Sequence, residues 1–220
     1  MTSWLVLTLV AGAADGGAGT LTATLALVND AGVALKLDHA VVYALDEEAP
    51  STAPTQEISQ RMVSNEMRFV PDFVVLQRDQ TLKFTNDKGV PHEVHSYNDA
   101  NSFETDRNSR TTLTTARDFT ELGTSLIACH LHGTMVGWVL TVPGPFSIAN
   151  RAGAVTWAGQ RCGPRRYRAW AAAKLNSERW GYGEADFTAD PCVSGNRGRL
   201  ELPVKRTIRP EPPLQNYGKN

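Results

Sequence analysis

Cys129-His130-Leu131-His132-Gly133-Thr134-Met135 sets a thiol, an imidazole and a thioether at the spacing Cys-x2-His-x2-Met. A soft thiolate, imidazole nitrogens and a weak axial thioether form the donor set of a blue-copper centre, which takes two imidazoles. The second imidazole lies upstream, in the segment that runs from Phe84 through Asn86 and Pro91 to His92 and His95. Two other uses of these residues compete. Buried Cys and Met are common as plain packing. Zinc would use the thiolate and imidazoles, but Met is a poor zinc ligand and a His-His-Cys set lacks the usual fourth closure.

Bulk properties narrow the choice. The 220 residues suffice for one large or two small domains, each with a core. A composition 41% hydrophobic and 20% charged is that of an ordinary soluble globular protein. The formal net charge of −1 supplies no whole-molecule field, so neither nucleic acid nor an anionic membrane is expected as a partner. Five histidines (His39, His92, His95, His130 and His132) are too few for the trinuclear cluster of a multicopper oxidase. A binuclear copper loop would need two cysteines where this one has Cys129 alone. No residue is read as catalytic, and the chain is not expected to be an enzyme.

Short strands with turn signals between them run along most of the chain, which argues for an all-β sandwich or barrel. Leu21–Val28 alternates with period two, Asn29–Gly32 is turn chemistry, and Val33–Tyr43 resumes with strand formers. His39 reads as a strand or surface histidine. Residues 45–57 are polar, acidic and Pro-bearing, as in a linker. Met67–Leu76 is a strand interrupted by Pro71, which fits an edge or a strand switch. Gln80–Thr85 turns Leu82 and Phe84 inward, residues 98–118 form a polar loop with room for one strand, Thr124–Cys129 leads into the ligand stretch, and Val136–Val142 ends at Pro143. Further strands are read within residues 146–149, 153–157, 166–175 and 199–205. Ala169–Leu175 could instead be a helical turn, because Ala and Leu favour helix. The Tyr and Trp residues beyond position 150 are read as packing. Residues 208–220 are Pro-rich and polar, and a disordered tail is expected there. At the other end, the apolar run Trp4–Ala14 is too short to span a bilayer. Residues 1–18, with the small-x-small triplet Ala11-Gly12-Ala13, read as a secretory signal without a basic start. A truncated start and a first strand are the alternatives.

The two-part pattern Phe84-x-Asn86…Pro91-His92-x-Val94 and Cys129-x2-His132-x2-Met135 resembles the cupredoxins, and its short His-to-Met spacing is similar to that of amicyanin. Gln60, Phe69-x-Pro71 and Met135-x-Gly137…Val139 extend the likeness toward the cupredoxin-containing "methylamine utilization protein" group. The resemblance implies a Greek-key β-sandwich or barrel over residues 56–145, holding one type 1 copper through His92, Cys129, His132 and Met135. Cys129 would be the thiolate, His92 and His132 the in-plane imidazoles, and Met135 the weak axial ligand. His92 and His95 stand three apart, so on a strand they face opposite ways, and His92 is the one that matches. His130 would point away from the metal. Glu93 stands where cupredoxins often have Asn, and His95 where relatives often have Tyr.

The implied function is one-electron transfer with a redox protein partner, in the periplasm or otherwise outside the cytoplasm. Copper storage or delivery, or binding to a cell-envelope component, is the rival. Residues 20–50 and 146–207 resemble parts of a carboxypeptidase-regulatory-like sandwich and could make one small domain with the copper unit inserted. With Cys129 given to copper, Cys162 and Cys192 remain. They either pair, which implies an oxidising compartment, or stay as separate thiols.

Overall fold

The computed structural model describes residues 17–47, 55–63, 66–86, 90–97, 101–105, 115–177, 179–193 and 199–208. Sixteen strands and no helix occur among them, so the fold class is all-β, as the sequence implies. Of the expected leader, only Gly17 and Ala18 fall within the described residues. Of the expected tail, only Ile208 does. Ile208 is a correction: it is buried and ends a strand, because its side chain reaches an apolar layer shared with Trp138 and Trp170.

The middle of the chain builds one sandwich. Its first sheet has the order β4-β3-β6-β8, from β3 (Gln56–Val63), β4 (Glu66–Val70), β6 (Gln80–Asn86) and β8 (Thr115–Phe119). Its second has the order β5-β10-β9-β7, from β5 (Phe73–Gln77), β7 (Val94–Ser96), β9 (Gly123–Cys129) and β10 (His132–Val142). Pro71 marks the switch between them, since β4 belongs to one sheet and β5 to the other. Proline interrupts a ladder that needs its N–H. Period-two burial puts Leu82 and Phe84 of β6 inward, against Ile127 and Val139 of the facing sheet.

The flanks build a second sandwich. β1 (Ala18–Val28) lies between β12 (Ala154–Arg161) and β15 (Arg199–Pro203). The facing sheet has the order β11-β2-β13-β14-β16, from β2 (His39–Ala44), β11 (Phe146–Ile148), β13 (Arg165–Lys174), β14 (Trp180–Ala189) and β16 (Arg206–Ile208). β2 begins only at His39; the preceding residues, read from sequence as strand, curve away with Leu35 and Leu37 resting on the outer core. The exit to the inner sandwich and the return from it lie side by side. The Ala44 amide donates to the Pro145 carbonyl at 3.0 Å, and a Cβ at Gly144 would stand 1.9 Å from the Glu47 carbonyl oxygen, so only glycine fits.

The sandwiches pack sheet against sheet, giving four sheets with three apolar layers between them. β13 shows how. Tyr167, Ala169, Ala171 and Ala173 enter the outer layer, while Trp170 and Ala172 enter the middle one. The alanine run is therefore strand and not a helical turn: both of its faces are buried, and small side chains suit a sheet packed from two sides. Trp138, Leu140 and Val142 of β10 meet Trp170 across the middle layer, and the Trp170 indole N–H donates to Thr124 Oγ1 at 2.8 Å. His39 stacks on Phe73 at this junction, 4.6 Å between centroids, as a packing histidine. The described Trp and Tyr residues beyond 150 do pack: Tyr167 and Trp170 are fully buried, and Trp157, Trp180 and Tyr182 rest against the same layers.

Cys162 and Cys192 form a disulfide that ties the end of β12 to the segment after β14. Asp190 Oδ1 braces it, accepting from the amides of Gly163 at 3.0 Å and Cys192 at 2.9 Å.

Candidate metal centre

β9 ends on Cys129 and β10 starts at His132, so only His130 and Leu131 turn the chain. The ladder between these strands jumps from His132↔Cys129 to Val136↔Ala128, and the extra residues Gly133, Thr134 and Met135 bulge out of it. The Thr134 hydroxyl pins the bulge to the Met67 carbonyl at 3.2 Å. That bulge folds Met135 back into the inner core, fully buried in the same cluster as Cys129. β7 lies on the other side of β9 and pairs Val94 with Cys129, which brings His92 beside the sulfur. Asn86 Nδ2 steadies the approach to His92 by donating to the Val90 carbonyl at 2.7 Å.

The donor atoms around Cys129 stand at the separations that a shared metal ion requires. Its sulfur lies 3.5 Å from His132 Nδ1 and 3.7 Å from His92 Nδ1. Bonds of about 2.3 Å to sulfur and about 2.0 Å to nitrogen, opened by about 110–120°, put the two donor atoms about 3.5–3.8 Å apart. The two rings are tilted by 55°, so they are not stacked on one another. Cys129, His92 and Met135 are buried, while His132 is part-exposed and gives the site its edge toward solvent.

Protonation favours ligation at nitrogen. Burial, and then the neighbouring charge of His132, pull the His92 pKa down from 6.5 to about 4. Burial also lowers that of His132. Both imidazoles are thus neutral at pH 7. Burial raises the Cys129 thiol above its ordinary value, against the pull of backbone hydrogen bonds from Glu93, Leu131 and His132. A metal has one proton to displace here, that of Cys129.

The structure brings His92, Cys129, His132 and Met135 together and keeps His95 and His130 apart from them. Strand parity does this. Residues 92 and 94 face the inner core, while Glu93 and His95 point through the other face of the sheet, where His130 also projects. There His95 stacks on His130 with 4.6 Å between centroids, and Glu104 stands beside both. The sequence did not single out Glu104, which lies in a polar stretch with no period. The parity of Glu93 and His95 was the available signal.

No protein-family model and no curated protein matches the chain. Among solved structures it is similar to a purple cupredoxin from Nitrosopumilus maritimus, at 22% identity over 40% of this chain and 99% of that one, with a TM-score of 0.35. It is also similar to an oxidised mutant of amicyanin, at 17% identity over 48% of this chain and all of that one, with a TM-score of 0.36. A copper-containing nitrite reductase from Thermus scotoductus SA-01 is 18% identical over 53% of this chain and 28% of that one, with a TM-score of 0.36. Cupredoxins recur among these matches. At such identities and scores the likeness carries no functional weight, and the centre is read from its own geometry.

Proposed function

We propose that this chain is a cupredoxin-type protein that holds one type 1 copper and carries single electrons, with no catalysis of its own. The observation behind this reading is the separation of 3.5 and 3.7 Å from the Cys129 sulfur to two neutral imidazole nitrogens, in a core shared with Met135. Copper held there supplies a one-electron couple. The chain supplies the rest. Cys129 gives up its proton to become the soft donor, and His92 and His132 offer nitrogen lone pairs without prior deprotonation. Burial of Cys129 in the inner core keeps water from the sulfur. Thr134 fixes the loop so that the donors move little when the charge changes, which keeps reorganisation small. His132, part-exposed, is the side from which a redox protein partner would be met.

The Cys162–Cys192 disulfide supports a location outside the cytoplasm, since such bonds persist in oxidising compartments. The flanking sandwich is read as a carboxypeptidase-regulatory-like module, and the "methylamine utilization" likeness names a group of similar sequences, with the electron donor and acceptor left open. Adding Cu(II) to metal-free protein should give an intense visible thiolate-to-copper band, absent from Cys129→Ser and retained by His95→Ala and His130→Ala. A colourless protein that takes up Cu(I) alone would replace the carrier with a copper store.

A further inference from the structure

We propose that His95, Glu104 and His130 form a second metal site, for a borderline divalent ion such as Zn2+ or Cu2+, on the opposite face of the sheet from Cys129. The inference stands on these three side chains and is independent of the copper reading above. One ring nitrogen of each histidine and a carboxylate oxygen of Glu104 lie within 4.8 Å of one another. His95 Nδ1 is 3.8 Å from Glu104 Oε2, and the His130 ring stands beside the same carboxylate, with Nδ1, the nitrogen that faces Glu93, 4.0 Å from Oε1.

Backbone pairing sets this grouping, so it is not a chance meeting of surface side chains. His95 and Glu104 face each other across a β-bridge, framed by the Ser96 amide to the Phe103 carbonyl at 3.0 Å and the Thr105 amide to the Val94 carbonyl at 2.9 Å. The His130 amide donates to the Glu93 carbonyl at 3.0 Å, which seats His130 next to the same ladder.

Two nitrogens at the cluster are ready to bind. His95 Nδ1 and His130 Nε2 are both buried and have no hydrogen-bond partner. Glu93 stands 3.2 Å from His130 Nδ1, and both side chains are mostly buried. A carboxylate that takes the N–H of a ligand histidine fixes its ring and leaves the other nitrogen's lone pair for a metal. Two imidazoles and one carboxylate suit zinc, or copper in its divalent state, with a position left for water. Glu104, 54% exposed, gives the ion a way in. The two rings now stack with a tilt of 25°, and closing on an ion turns them out of that stack.

The test disables the first centre and asks whether a metal still binds. Metal-free Cys129→Ala/His132→Ala protein, shown folded by circular dichroism, is titrated with Zn2+ by calorimetry. One equivalent should bind. Adding Glu104→Gln, His95→Ala or Glu93→Gln should weaken it by at least about tenfold. Wild type preloaded with one copper should take up one zinc in native mass spectrometry, so the proposal does not hang on one variant. No zinc in either experiment, or equal zinc affinity with and without His95→Ala, overturns the second site. Zinc bound by the double variant, in a protein whose wild type never turns blue with Cu(II), overturns the copper reading and leaves this one standing.

Discussion

Acid should destabilise the metal-free protein through His92. The side chain is 1% exposed, and its pKa is held down from 6.5 to about 4. Between those values the unfolded chain binds a proton that the folded chain refuses, so stability rises with pH across the window and is lost as pH falls through it. At 1.36 kcal/mol per unit, the loss between pH 7 and pH 4.5 comes to about 2.5 kcal/mol. The assay is urea unfolding of chelator-treated protein at both pH values. His92→Gln removes the titrating group and keeps a polar side chain. It should be less stable at pH 7, yet its stability should fall by about 2.5 kcal/mol less on acidification. Carboxylates away from His92 contribute alike to both proteins and cancel, and the mutual repulsion of His92 and His132, second to burial as a cause, is part of the difference read. An identical pH dependence for wild type and variant would refute the claim that burial excludes the proton from His92.

Binding of the first copper equivalent at pH 7 should release one proton, because only Cys129 has to ionise; calorimetry in buffers of different ionisation enthalpy counts it. Trp170→Ala should cost about 3–5 kcal/mol, because it empties the middle layer and removes the indole hydrogen bond to Thr124. Denaturant curves read by tryptophan fluorescence check this, and a loss under about 1 kcal/mol would mean the two sandwiches do not support one another. Replacing both Cys162 and Cys192 by serine, which opens a bond closing a separation of 30 residues, should cost about 3–4 kcal/mol and leave the copper band in place. Parallel unfolding and absorbance measurements on the two oxidised proteins decide it.

The grouping of His92, Cys129, His132 and Met135 was legible because its chemistry is local. Cys129, His132 and Met135 fall within one turn, and strand parity alone separates His92 from His95. The inner sandwich was legible too, since Gln80–Asn86 shows its buried face residue by residue. The stacking of the two sandwiches was not. In β13 both faces are buried, so the alternation that marks a half-exposed strand disappears, and the alanine run reads equally well as helix. Only the sheets on either side, distant in sequence, decide the matter. Glu104 escaped notice for a related reason. It is placed by a single bridge to His95, and a polar loop announces no such partner.

The parallel pairing of β1 with β15, Thr24 opposite Arg199, also governs the order in which this protein can be built. Every strand of the inner sandwich lies between residues 56 and 142, so that unit is complete while the chain behind it is still emerging. The outer sandwich has to wait for its last strands, holding β1 unpaired on that side across the whole excursion. Long-range parallel pairing is slow because the loop must close before any contact rewards it. The inner half is thus the natural first unit to mature, with Trp138 and Leu140 bare on its outer face until β13 arrives to cover them. A chain cut short after residue 145 would keep that face uncovered, and its hazard would be self-association, with all four residues proposed for the centre still in the chain.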